Sequence, residues 1–366
     1  MSRGLLILTL WLLVSAAQAA ALCGFPGRDG DQQVSGLLNR WLSSPDESVL
    51  PPGSRWLPLG TEQRGHGEVL PGSVALLIQM QGADIYLDNT GRYGAGQDSE
   101  QEDAGRGWLH LQAGQFEFVR IEEVQPRRLR VRGAGDNGGI RYGYLSREPS
   151  KSSDQGRHRW QLVLVPQYEN LTLTGDIETL PWDGATGGVV ALDVRRRLNL
   201  NGHRINVAAS GFRGAAALPL AGAVGAASDY YYRAPGIAEL AAAYGDHASK
   251  GEGLAGTPRW LIDRDRRRDT RPDADALMVS DGYPGGSMAR GAPANAGGGA
   301  NSLDGSLNDH SARPAGGGGG GGGAPGSSGM DGEKRPQGGL GGAGLAADQF
   351  RAVLGGGGGA GTLRPP

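Results

Sequence analysis

The chain has 366 residues, of which 67 are glycine and 21 proline, with a single cysteine and a net charge of −2. The glycine share is more than twice the usual value of about 7%. A near balance of Lys+Arg 36 against Asp+Glu 38 excludes a polycation built to coat nucleic acid, and one cysteine excludes both an intramolecular disulfide framework and a cysteine zinc cluster.

In chain order, Arg3 and the apolar run Leu5–Val14 come first. The run is too short to span a bilayer and reads as a secretory signal, residues 1–19. Cleavage is expected after Ala19, with Ala21 as the alternative. A lipoprotein signal ending at Cys23 is the rival, and Leu22 opposes it where a small residue belongs. No later apolar run is long enough for a membrane span. Export to the cell surface or medium is therefore expected, with Cys23 a free thiol or an interchain link.

Residues 23–169 read as a β-rich N-terminal domain. Ser73–Met80 is an apolar run suited to a strand buried on both faces. Phe116–Ile121 alternates, with Phe116 and Phe118 on one side. Trp160–Val165 ends at Pro166, which cannot donate to a ladder. The polar stretch from Asn89 to Gly107 reads as a loop.

Residues 170–290 carry short strand candidates at Leu171–Gly175, Val189–Val194, Leu198–Gly202 and Ile205–Val207, divided by turns. Strands this short cannot bury a face alone. Stacked as rungs of a β-solenoid they build one continuous core. A meander in a sandwich gives the same local alternation, and there is no strict repeat. On the solenoid reading, Leu192, Val194, Leu198, Leu200, Ile205 and Val207 are expected in the core. Gly236–Tyr244 is the one helix candidate, and Leu261–Asp275 a mixed-charge insertion. The expected class is all-β: a β-rich unit, then a β-solenoid or β-helix-like section with a helical insertion.

Residues 291–366 form a glycine-rich region that includes the unbroken runs Gly316–Gly323 and Gly355–Gly359. Disorder is the default for such a tract. The alternative is packed polyglycine, in which extended helices without side chains approach closely and bond laterally. Leu340 and Phe350–Leu354 argue for docking of Gly316–Gly323 against the body.

The six histidines lack metal-ligand spacing, and no activated nucleophile is marked. No cofactor is expected. Asp183, Asp193 and Glu252 are the carboxylates that glycoside chemistry would need, although Asp183 reads first as a turn residue. Asn301–Asp309 offers oxygen atoms without calcium-loop spacing. Asn170–Thr172 matches the N-glycosylation pattern. The sharpest basic feature is Arg128, Arg130 and Arg132, which a strand sets on one face, joined by the turn cluster Arg195, Arg196 and Arg197. These six form the candidate polyanion site, for an acidic polysaccharide or another envelope component. The bland alternative is a solvated face balanced by Glu122 and Glu123.

Several strings, among them Leu76–Gly96, Val163–Gly175, Pro181–Gly214, Lys250–Trp260 and Gly282–Gly299, together resemble a group of secreted glycine-rich bacterial surface proteins. In that group the core is often followed by repeated immunoglobulin-like domains. The resemblance implies a cell-surface or extracellular role and carries over no catalytic residue. The chain departs from the group at Gly214–Ala216, where Gly-Gly is expected. It also stops at Pro366, where further strands are expected, as a truncated member would. The expectation is a non-enzymatic structural or adhesin-like protein. The alternative is a carbohydrate-active enzyme or polysaccharide-binding module on a β-helix.

Overall fold

A computed structural model describes residues 25–85, 107–149, 155–215, 218–219, 250–256, 291–300, 316–330 and 338–363. The signal segment, Cys23, the helix candidate at 236–244, the insertion at 261–275, the stretch 301–309 and nearly all of the loop 89–107 lie outside the described residues. The strands are β1 (Asp31–Leu37), β2 (Arg40–Ser43), β3 (Ser48–Leu50), β4 (Trp56–Pro58), β5 (Gln63–Gly65), β6 (Val74–Gly82), β7 (Asp84–Ile85), β8 (Trp108–Leu109) and β9 (Phe116–Gln125). They continue as β10 (Arg128–Arg132), β11 (Tyr144–Ser146), β12 (His158–Val165), β13 (Gln167–Glu178), β14 (Asp193–Asn199), β15 (Ile205–Asn206), β16 (Leu218–Pro219) and β17 (Thr362–Leu363). One 3-10 turn, Asp136–Gly138, is the only helical element among the described residues, so the class is all-β.

The two apolar runs make the centre. β6 and β12 are buried along their whole lengths and pair antiparallel, with Leu77 opposite Leu162. They sit inside a seven-stranded antiparallel sheet of order β4-β10-β9-β6-β12-β2-β5, curled into a half-barrel. One face, with Leu77, Ile121, Leu129, Val131 and Trp160, fills the half-barrel. The other face, with Ile78, Met80 and Val163, packs on Trp182, Phe212, Leu254 and Ala343. Two cores on two faces explain why these strands show no polar alternation.

Pro166 ends β12 for lack of an N–H, and the chain switches sheets there. β13 becomes the middle of a parallel sheet, with β1 on one edge and β14 on the other. The boundary expected at 169/170 thus falls inside β13. Columns of side chains run across the sheet: Asp31–Asn170–Arg197 and Gln32–Leu171–Leu198, with β15 placing Ile205 beside Ile177. β14 and β15 follow β13 at sequence offsets of about 26–28 residues. Leu171 and Ile177 are buried at 1% and 0% exposure, whereas Leu198 and Ile205, one strand further out in the same columns, are 40% and 39% exposed.

That corrects the expected core. Leu198, Leu200, Ile205 and Val207 are exposed, and Leu192 and Val194 are half-buried. They belong to the outermost layer, and no described strand covers it. The expected strand Val189–Val194 also begins late, at Asp193. Buried side chains satisfy the backbone of 187–191 instead of a ladder. Gln161 exchanges two hydrogen bonds with Gly187, and Trp41 Nε1 donates to the Val189 carbonyl. Asn39 donates to the Ala191 carbonyl and accepts from its N–H.

The described part of the glycine-rich region is docked. Gly316, Gly319 and Gly322 donate to the carbonyls of Met330, Ser327 and Ala324, while Gly339, Gly342 and Leu345 donate to Gly316, Gly319 and Gly322. On another side Gly318 and Gly321 donate to Gly298 and Asn295, and accept from Gly359 and Gly356. Bonds recurring every three residues, all but the Gly322–Ala324 turn bond running between segments, are those of polyproline-II helices packed laterally. The packing leaves no room for side chains: a Cβ on Gly318 or Gly321 would overlap the carbonyl oxygen of Leu340 or Ala343. This bundle joins the body through Phe212 N–H donating to Gly355 and Ala352 N–H donating to Gly114. Val353 is half-buried, but Phe350, expected to be covered by docking, is 62% exposed.

Candidate functional site

Where the seven-stranded sheet, the parallel sheet and the glycine-rich bundle meet, an open groove of about 630 Å³ remains. Phe116, Phe118, Val189–Leu192, Ile205, Val207 and Leu354 are among the residues that line it. Every side chain lining it is apolar. Phe116 and Phe118 meet edge to face at 6.2 Å, a favourable aromatic arrangement. Phe118 and Val207 stand 48% and 50% exposed at its rim. The alternation that set the two phenylalanines on one side was legible in sequence. Their lining a cavity was not, since other parts of the lining come from residues about 90 and 240 positions later.

The six arginines are divided between two sheets, with β10 in the seven-stranded sheet and β14 in the parallel one. Arg128, Arg130 and Arg132 do share a face, with Leu129 and Val131 buried behind them. Glu122 accepts from Arg132 Nε at 2.8 Å and pairs with Arg55 and Arg130. Its hydrogen bond from Arg132 holds the carboxyl below the usual range, against the opposing effect of burial. Arg130 also meets Glu123 at 3.6 Å. Arg128 lies 4.4 Å over the Trp56 ring and donates to Gln125. Arg195 and Arg196 share Glu169. Arg197 is exposed on the β14 edge.

The three carboxylates singled out for glycoside chemistry each have partners of their own. Asp193 accepts from Gln167 Nε2. Glu252 is 1% exposed and accepts from Gln81, Trp182 and Arg213, with Arg157 3.8 Å away; it ties the glycine-rich bundle to the half-barrel sheet. Asp183 caps its own turn by accepting from the N–H groups of Ala185 and Thr186, and it pairs with Arg64. Its nearest carboxyl partner is Glu62, which the sequence did not suggest. Burial, the hydrogen bond to Asp183 and the charge of Asp183 push Glu62 up to about 7 against the pull of Arg64. Burial acts to raise Asp183 too. The hydrogen bonds from Glu62, Thr186 and Ala185 outweigh it and hold Asp183 below the usual carboxylate range. The pair therefore shares one proton on the acid side of about pH 7 and gives it up as pH rises through that value. The direct hydrogen bond is closer than the spacing of about 5 Å or more between glycosidase carboxyls. Nothing local in sequence links residues 62 and 183; the half-barrel edge and the 181–187 turn bring them together.

Among the described residues no group of three or more His, Cys, Asp or Glu is placed to hold a metal ion, and no helix is long and apolar enough to cross a membrane. No protein family, curated protein or solved structure matches the chain.

Proposed function

We propose that this is a non-enzymatic structural or adhesin-like protein of the bacterial cell surface or medium, exported by its N-terminal segment and allied to the glycine-rich surface group that its sequence resembles. The observation that carries the reading is the groove, whose lining side chains are all apolar and which is open to solvent. Such a surface suits contact with an apolar partner; it offers no group to move a proton. The glycine-rich bundle supports the same reading, because backbone bonds on several sides make a stiff mount for the groove. In finer detail the parallel strands are read as three rungs of a β-solenoid, β1, β13 and β14 with β15, which favours a scaffold built by stacking.

The test has two arms. Protease shaving of intact producing cells is expected to release peptides of this protein. The Phe118→Ser/Val207→Ser double variant is expected to lose attachment of the purified protein to envelope material or apolar particles. Its unfolding midpoint should hold, since both side chains are already about half exposed. Protein found only inside cells, or a double variant that attaches as well as the parent, would overturn the reading. A polysaccharide-binding module is the second reading, favoured by Arg195, Arg196 and Arg197 along an exposed strand edge; retention on an acidic-polysaccharide column that these arginines control would support it instead.

A further inference from the structure

The parallel sheet has two outer edges, β1 and β14, and neither is paired on its outer side among the described residues. Unpaired edges normally carry a device against association, often charge. Here the two edges carry opposite charge. β1 has the sequence DQQVSGL, with Asp31 exposed and no basic residue. Asp29 just before it accepts from the Gln167 N–H, and the guanidinium of Arg28 is turned away onto Ser73. β14 carries Arg195, Arg196 and Arg197, all exposed, and Arg204 follows before β15. Between layers the sheet already uses complementary pairs: Asp31 accepts from Asn170, Glu169 holds Arg195 and Arg196, and Asp176 holds Arg204.

The columns fix the register of any further layer. Asp31, Asn170 and Arg197 are aligned. A second β1 continuing the stack beyond β14 brings its Asp31 opposite Arg197. It also covers Leu198 and Ile205, the column ends left 40% and 39% exposed.

We propose that the chain associates head to tail with copies of itself, the β1 edge of one copy adding in parallel and in register to the β14 edge of the next. The contact is heterologous, so it generates a ring if the rotation closes and a filament if it does not. Backbone ladder bonds supply the adhesion, as in other strand additions, and the Asp31–Arg197 pair selects the register. The inference goes beyond the surface role and does not depend on where the protein works.

Charge reversal tests it on the full mature chain by sedimentation velocity and negative-stain microscopy. The parent is expected to assemble with rising concentration. Asp31→Arg alone faces Arg197 in the next copy, and Arg197→Asp alone faces Asp31. Each should weaken association about tenfold or more by like-charge contact. An equimolar mixture of the two restores an opposite pair at every junction and should assemble again. Unfolding midpoints equal to the parent's serve as the control. Should either reversal unfold the chain, Asp31→Asn and Arg197→Gln replace them, with weaker assembly expected for each. A parent that stays monomeric has its edges covered from within and overturns the proposal. So do single reversals that assemble like the parent, or a mixture that assembles no better than its components.

Discussion

A single methyl group at two adjacent glycines separates a laterally bonded bundle from a loose tail. At Gly321 an added Cβ would overlap the Ala343 carbonyl oxygen. Relief requires the neighbouring segments to part, which strains two bonds of 2.7 Å: Gly321 N–H to Asn295, and Gly356 N–H to Gly321. Overpacking costs about 1–3 kcal/mol, and each weakened bond about 0.5–1.5 kcal/mol. Alanine returns about 0.4–1 kcal/mol by restricting the unfolded chain. The balance for Gly321→Ala is a loss of about 1–6 kcal/mol. At Gly322 a Cβ meets nothing within contact range, and φ is not left-handed. Gly322→Ala should therefore be neutral or stabilising by about 0.4–1 kcal/mol. Urea unfolding gives the global effect, and hydrogen exchange at the Gly321 and Gly356 amides gives the local one. Gly321→Ala should speed exchange at both amides and cleavage by limited proteolysis in 316–330. Equal behaviour of the two variants, or fast exchange at these amides in the parent, would refute the packed bundle.

Other consequences are checked by similar means. Glu252→Gln removes the buried charge facing Arg213 and Arg157 and should cost about 3–5 kcal/mol in a denaturant melt. Leu171→Ala should cost about 2–5 kcal/mol, whereas Leu198→Ala, one layer out and 40% exposed, should cost less than about 1 kcal/mol; comparison of the two melting midpoints checks the layer order. The Glu62–Asp183 pair should make stability depend on pH. Glu62 binds its proton more tightly folded than unfolded, so its stabilising effect is complete below about 4.5 and is lost as pH rises through about 7. Asp183, held low, acts oppositely and loses its contribution only in acid. Asp183→Asn should remove much of the fall between about pH 5 and 8 in stability measured by urea titration.

Much of the fold's local character was legible in sequence because it rests on neighbouring residues. The run at 73–80 suited a strand buried on both faces, the run at 160–165 read as a strand that Pro166 ends, and Arg128, Arg130 and Arg132 share a face if 128–132 is extended. The glycine runs left two outcomes open, since polyglycine has no side chains with which to declare a partner. Tertiary structure chose between them through carbonyls of Asn295, Gly298 and Ala324–Met330, residues whose own sequence says nothing about Gly316–Gly323.

What no local pattern carried was which surface received a cover. Leu171 and Leu198 are the same residue type in the same alternation. One is buried and the other exposed because β1 returns from 140 positions earlier to cover β13, and no described strand covers β14. The carboxyl pair and the apolar groove have the same origin. Glu62 meets Asp183 only once the half-barrel edge and the 181–187 turn come together, and Phe118 and Val207 line one groove only in the folded chain. Sequence determined several strands, their alternating faces and the unbroken glycine runs; contacts between residues far apart in the chain decided which faces met, because burial is a property of pairs of surfaces and alternation a property of one.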